Sequence, residues 1–134
     1  MCQLLGMNCN APTDVTFSFR GFAQRGGHTD HHADGWGIAF FEGDDSVAGG
    51  SDRGLRHFVD HQPACSAPVA ALISRSPIKR RNVISHIRKA TQRRLALENC
   101  HPFPRQRAGL SWVSAHNGRP TDLCLGGAMG VTMQ

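Results

Sequence analysis

The sequence predicts an α+β domain of several strands and few helices, and three observations lead there. Short apolar runs with strand-like spacing recur at CQLLGM (2–7), WGIAFFEG (36–43), NVISHI (82–87) and SWVSA (111–115). Helical spacing is confined to DVTFSFRGFAQR (14–25) and a short run after Pro68. Between them, 15 glycines and 7 prolines break the chain into many loops. Strands with sparse helices pack as layers around one core.

Each element follows from local chemistry. Residues 2–7 read as a short buried strand, after which Pro12 and Thr13 punctuate, Thr13 as a helix N-cap. In the next run Val15, Phe17 and Phe19 alternate like a strand, but Val15, Phe19, Phe22 and Ala23 fit i, i+4, i+7, i+8. The longer pattern favours a helix ended by Gly26-Gly27. GGHTDHHADG (26–35) is a polar loop leading into the apolar strand WGIAFFEG, and residues 44–53 form a hairpin or surface loop. Between Leu55 and Ser74 the prolines at 63 and 68 leave one short helix after Pro68. In NVISHI, Val83, Ser85 and Ile87 alternate against Ile84 and His86. RPTDLCLGGAMGVTMQ (119–134) has no period and reads as tail or loop, so the chain divides into a domain at 1–118 and an atypical tail at 119–134.

Composition narrows the functional classes. A length of 134 residues suits a single domain. No stretch approaches the roughly 18 apolar residues of a membrane span, and no signal peptide is written at the start. The five cysteines, at 2, 9, 65, 100 and 124, are odd in number and contain no CxxC pair. Neither a disulfide framework nor a zinc knuckle follows, and reduced thiols in the cytoplasm are expected. The formal charge of +5 is concentrated between Arg75 and Arg94. No aromatics interleave with it to stack bases, so it reads as a solvated basic face rather than a nucleic-acid site. In HTDHHADG, His28, Asp30, His31, His32 and Asp34 are candidate ligands for zinc or nickel. Adjacent His31-His32 diverge in an extended chain and no HExxH supports them, so no metal or cofactor is expected.

Five segments carry chemistry in a fixed order: Cys2, DGWG (34–37), SHIRKAT (85–91), ENCHPF (98–103) and AHNG (115–118). With Met1 removed, Cys2 would carry a thiol and a free α-amine together, a nucleophile supplied with its own base. A terminal α-amine has a pKa of about 7.7–8.0, usable near neutrality. Taken jointly, these motifs resemble the class II glutamine amidotransferases of the N-terminal-nucleophile superfamily. The similarity is greatest to compact stand-alone members that begin MCxLLGM and contain HADGWGIAF, and it runs from Met1 to Gly118.

The resemblance implies a four-layer αββα sandwich with Cys2 at a strand end between two facing sheets. It implies hydrolysis of the glutamine side-chain amide to glutamate and ammonia, with Cys2 attacking. Asn117 and the Gly118 N–H would be the oxyanion donors, and Arg88 would grip the substrate α-carboxylate with its two-pronged fork. His101 would line the glutamine pocket as an orienting group, and Trp36 would pack beneath the nucleophile strand. After Gly118 the family pattern lapses. The family continues with roughly as many residues again, including an acid for the substrate α-amine, a role Asp122 is too near the turn to fill. A truncated or frameshifted member is therefore expected, with an exposed sheet edge. Two rivals stand beside the enzyme: a non-catalytic remnant of one, and a cationic binding module using the 75–94 cluster. The ammonia acceptor and the oligomeric state are not encoded.

Overall fold

Alternation along the strands decides which side chains face which layer. The computed structural model describes residues 2–42, 54–90, 94–107, 109–117 and 129–133. Its elements are β1 (Gln3–Asp14), α1 (Thr16–Gln24), β2 (Trp36–Phe41), β3 (Leu55–Asp60), α2 (Pro68–Ile73) and β4 (Lys79–Ile87). A 3₁₀ turn (Leu97–Asn99) follows, then β5 (Phe103–Arg107), β6 (Leu110–Asn117) and β7 (Met129–Met133). One sheet has the order β1-β4-β2-β3 and the other β5-β6-β7, all neighbours antiparallel.

The two faces of the four-stranded sheet meet different partners. Trp36, Ile38, Phe40, Val83 and Ile87 point to one side, where Phe19, Phe22 and Ala23 of α1 and Ala70 and Ile73 of α2 cover them. Fully burying a large apolar side chain stabilises by about 1.5–3 kcal/mol, and this cluster is the larger of two. On the other side Ala39 and Ile84 meet Val113 and Ala115 of β6, with Leu4, Phe41 and Leu55 packed around them. The result is a mixed α and β, mostly sheet architecture: a helix layer, a four-stranded sheet and a three-stranded sheet. Among the described residues α1 and α2 are the α-helices, and both lie against the first sheet.

Several expectations are met and several corrected. The alternation in NVISHI holds, since Val83 and Ile87 face the helices while Ile84 faces the second sheet. The helix expected before Gly26-Gly27 and the short helix after Pro68 are present as α1 and α2. The first strand, however, runs on to Asp14, through a register shift between Asn8 and Thr13. Pro12 is tolerated there because β1 is an edge strand. Thr13 is not the cap: it pairs with Arg80, and its hydroxyl donates to the Ala11 carbonyl at 3.1 Å. The N-cap residue is Val15, which has no side-chain cap bond, and Asp14 just before it accepts the Thr16 N–H through Oδ1 at 2.8 Å. Hydrogen bonds from Thr16 hold the Asp14 carboxyl below its ordinary value. Residues 55–60, expected to carry no element, form edge strand β3. Within the stretch expected to be tail, residues 129–133 pair with Val113–Asn117 as β7. The loop expected at 44–53 lies outside the described residues.

Candidate active site

The start of β1, the end of β4 and the end of β6 converge at one end of the sandwich. Gln3 pairs with Ile87 in the β1–β4 ladder, so Cys2 falls beside the residues that follow β4. Its sulfur accepts the Lys89 N–H at 3.4 Å and lies 3.7 Å from the Lys89 carbonyl. From β6, Asn117 Nδ2 donates to the Cys2 carbonyl at 2.8 Å. That bond ties the nucleophile candidate to the second sheet across 115 positions of sequence. Cys2 and Asn117 are thus brought together, with Arg88 one residue along the chain from the Lys89 contact; Gly118 lies outside the described residues.

Arg88 is held from all sides. The β2–β4 ladder continues past its last strand pair, with Arg88 N–H donating to the Gly35 carbonyl (2.8 Å) and Asp34 N–H to the Arg88 carbonyl (3.2 Å). Its guanidinium is buried and donates to the Arg94 carbonyl at 3.2 Å and towards the Asp34 carbonyl at 3.5 Å. Its charge reaches Cys100, whose thiol is pushed up by burial and pulled the other way by Arg88. Gly35 has φ +118°, and a Cβ there would meet Cys100 Sγ at 2.6 Å, so the turn into β2 admits only glycine.

His101 sits in a cluster of rings between the sheets. It follows the 3₁₀ turn and joins Pro102 through a cis peptide bond. Its Nε2 and His116 Nδ1 are 3.0 Å apart, and its ring lies 4.5 Å from His86 and 4.2 Å from Phe103, centroid to centroid. His86 is fully buried, and burial lowers its pKa to about 3, the charges of His101, His116 and Arg88 acting in the same direction. His116 precedes Asn117, so the cluster abuts the residue that holds Cys2. Trp36 is buried against Phe19, centroids 5.7 Å apart, in the core that also receives Leu5 of β1.

At this end Asp30 and His32, weighed from the sequence as metal ligands, instead make hydrogen-bond and ion-pair contacts, and Gln3 and Arg25 join them without any signal in the sequence. Asp30 Oδ2 accepts Gln3 Nε2 at 2.7 Å and lies 3.0 Å from His32 Nδ1, while Arg25 Nη1 donates to Gln3 Oε1 at 3.2 Å. The His-rich loop is therefore docked on the residue next to Cys2. His86 and His116 stood within the quoted motifs SHIRKAT and AHNG, but their stacking is tertiary and has no spacing signal. Among the described residues no group of three or more His, Cys, Asp or Glu side chains is placed to hold a metal ion. The basic run does not form one face. Arg88 points inward, and Arg80 lies over the Phe40 ring at 5.4 Å with Nη2 3.8 Å from Glu42. No helix among the described residues is long and apolar enough to cross a membrane.

Comparison with known proteins bears on the same residues. The family model for class II glutamine amidotransferases matches residues 1–124. A Haemophilus influenzae protein named "Putative glutamine amidotransferase" is 55% identical over 92% of this chain and 39% of its own. The Escherichia coli "Putative glutamine amidotransferase YafJ" is 50% identical over 90% of this chain and 44% of its own. A crystal structure of a "predicted glutamine amidotransferase" from Pseudomonas aeruginosa PA01 superposes with TM-score 0.50 at 40% identity, covering 88% of this chain and 43% of that one. The chain thus spans about four-tenths of the length of these relatives. A match over residues 1–124, together with relatives 55% and 50% identical over the matched stretch, decides the question: this chain belongs to the class II glutamine amidotransferase family.

Proposed function

We propose that the chain carries the glutaminase site of a class II glutamine amidotransferase, with Cys2 as an N-terminal nucleophile after removal of Met1. The observation that carries this is the meeting of Cys2, Lys89 and Asn117, with Arg88 one residue from the contact. The Cys2 sulfur attacks the glutamine Cδ, and the α-amine takes the thiol proton and passes it to the departing nitrogen, which leaves as ammonia. Water then cleaves the thioester to glutamate and frees the thiol. Asn117 and the Gly118 N–H serve the oxyanion, a donor type whose loss costs about 10²–10³ in rate. Arg88 takes the α-carboxylate, and His101 orients the pocket from its place between His86 and His116. Ammonia is the end of the reaction assigned here, with no acceptor named.

The three observed layers are read as part of the four-layer αββα sandwich of the N-terminal-nucleophile hydrolases, supported by the two facing sheets and the helix layer on the first of them. Free thiols at Cys2, Cys9, Cys65 and Cys100 support a reducing, cytoplasmic setting. The inward guanidinium of Arg88 speaks against the cationic binding module.

The test uses the full chain made in a bacterial cytoplasm. Intact mass should show Met1 absent. 6-Diazo-5-oxo-norleucine, a glutamine mimic, should label Cys2 ahead of Cys9, Cys65 and Cys100, and glutamine should yield glutamate and ammonia in a reaction that Cys2→Ala abolishes. Retained Met1 on every molecule removes the proposed base. Equal labelling of all cysteines identifies a non-catalytic family member.

A further inference from the structure

The DGWG motif supplies more than a buried tryptophan. Asp34 ends the His-rich loop just before β2, and its polar groups go to one short strap, residues 88–90. Its N–H donates to the Arg88 carbonyl at 3.2 Å, and its own carbonyl lies 3.5 Å from Arg88 Nη1. Its carboxylate Oδ2 accepts the Ala90 N–H at 2.7 Å. The last is the short, charge-assisted bond, and the 3.5 Å contact is marginal beside it. Strand β4 ends at Ile87, so no ladder partner remains for the Ala90 N–H; the loop carboxylate takes that place. Lys89 sits between the two clamped residues, and its N–H and carbonyl both address Cys2 Sγ, at 3.4 and 3.7 Å.

We propose that Asp34 is a positioning residue that sets Cys2 and Arg88 in register with each other by clamping the 88–90 strap, which contains Arg88 and contacts Cys2. This rests on the assignment of Cys2 as nucleophile and Arg88 as carboxylate anchor. The sulfur needs a donor when it carries charge, and Lys89 N–H provides one only while the strap is held against β1. The substrate carboxylate needs Arg88 at a set distance from that sulfur. A carboxylate at position 34 fixes both through one hydrogen bond to backbone. An asparagine keeps an acceptor there and should substitute in part; an alanine has none.

Two electrophiles separate the outcomes on the full chain. Iodoacetamide is neutral and reports on the sulfur alone, whereas 6-diazo-5-oxo-norleucine carries glutamine's α-carboxylate and also reports on Arg88. Rates of Cys2 modification are read by peptide mass. In Arg88→Lys only the diazo rate should fall. In Asp34→Ala both should fall, the iodoacetamide rate several-fold and the diazo rate about tenfold or more. Asp34→Asn should recover most of each. A folded Asp34→Ala protein with an unchanged iodoacetamide rate overturns the clamp. Should Asp34→Ala not fold, amide exchange in the parent decides: an Ala90 N–H that exchanges as fast as an open loop amide overturns the proposal, and a protected one supports it. If parent Cys2 shows no preference for the diazo reagent, the glutaminase assignment fails, while the iodoacetamide series still judges the clamp.

Discussion

Gly37 has no side chain, and the His101 carbonyl occupies the space one would need. A Cβ at this position of β2 would clash with that carbonyl and would meet Val59 Cγ1 at 2.8 Å and the Phe58 carbonyl at 3.0 Å. Two of these are backbone carbonyls, so neither gives way cheaply. Gly37→Ala should therefore destabilise the fold by about 1–3 kcal/mol, as overpacking does, which a shift in urea midpoint would show. The displaced His101 should lower the proposed glutaminase activity as well. At this scale the sequence was informative where a motif named a side chain: Asn117 of AHNG donates to the Cys2 carbonyl, although the two lie 115 positions apart. It was silent on Lys89, which acts through its peptide group, and on His86, whose importance comes from stacking on a ring 15 residues beyond it in the chain. Backbone donors and ring stacks leave no trace in residue type.

The helices are short, and α1 is held by its buried face rather than by caps. Neither α1 nor α2 has a side-chain bond at its N-cap residue, and neither is long enough to persist alone in water. Phe19, 1% exposed and packed on Trp36, anchors α1 to the sheet. Phe19→Ala should cost about 3–5 kcal/mol, measured by denaturant unfolding, whereas Phe17→Ala should cost almost nothing, because Phe17 is 89% exposed. Periodicity made α1, β2 and β4 legible, since each presents a clear apolar face. Strand β3 was hidden because its residues are mostly half-buried, with Arg56 and His57 interrupting Leu55 and Phe58. The outer half of β1 is exposed and contains Pro12, which argues against a strand everywhere except at a sheet edge. Strand β7 is MGVTM, and only its pairing with β6 marks it as a strand.

Across the whole molecule, the buried His86 makes the sandwich acid-sensitive. Its ordinary value of 6.5 falls to about 3 in the folded chain, burial being the main cause. The unfolded chain therefore binds a proton as pH drops through about 6.5, while the folded chain resists until about 3. Stability from this group is full above 6.5, declines as pH falls through that window, and levels off below about 3. The loss is on the order of a few kcal/mol. Urea midpoints at pH 8 and pH 5 should differ, and His86→Gln should flatten the difference. That the molecule would layer helices on sheet was legible from alternation. The pairing order and the meeting of the two sheets were not, because both depend on contacts between residues far apart in the chain. The same distance governs how the site comes into being. The Cys2 contacts reach Lys89, 87 positions away, and Asn117, 115 positions away. Closing such long loops comes late and slowly in folding. Residue 2 is thus organised by residues made 87 and 115 positions later. Until residues 89 and 117 have been made, a nascent chain carries its thiol without the partners that direct it, and the proposed reactivity towards glutamine would switch on only once both sheets have closed over it.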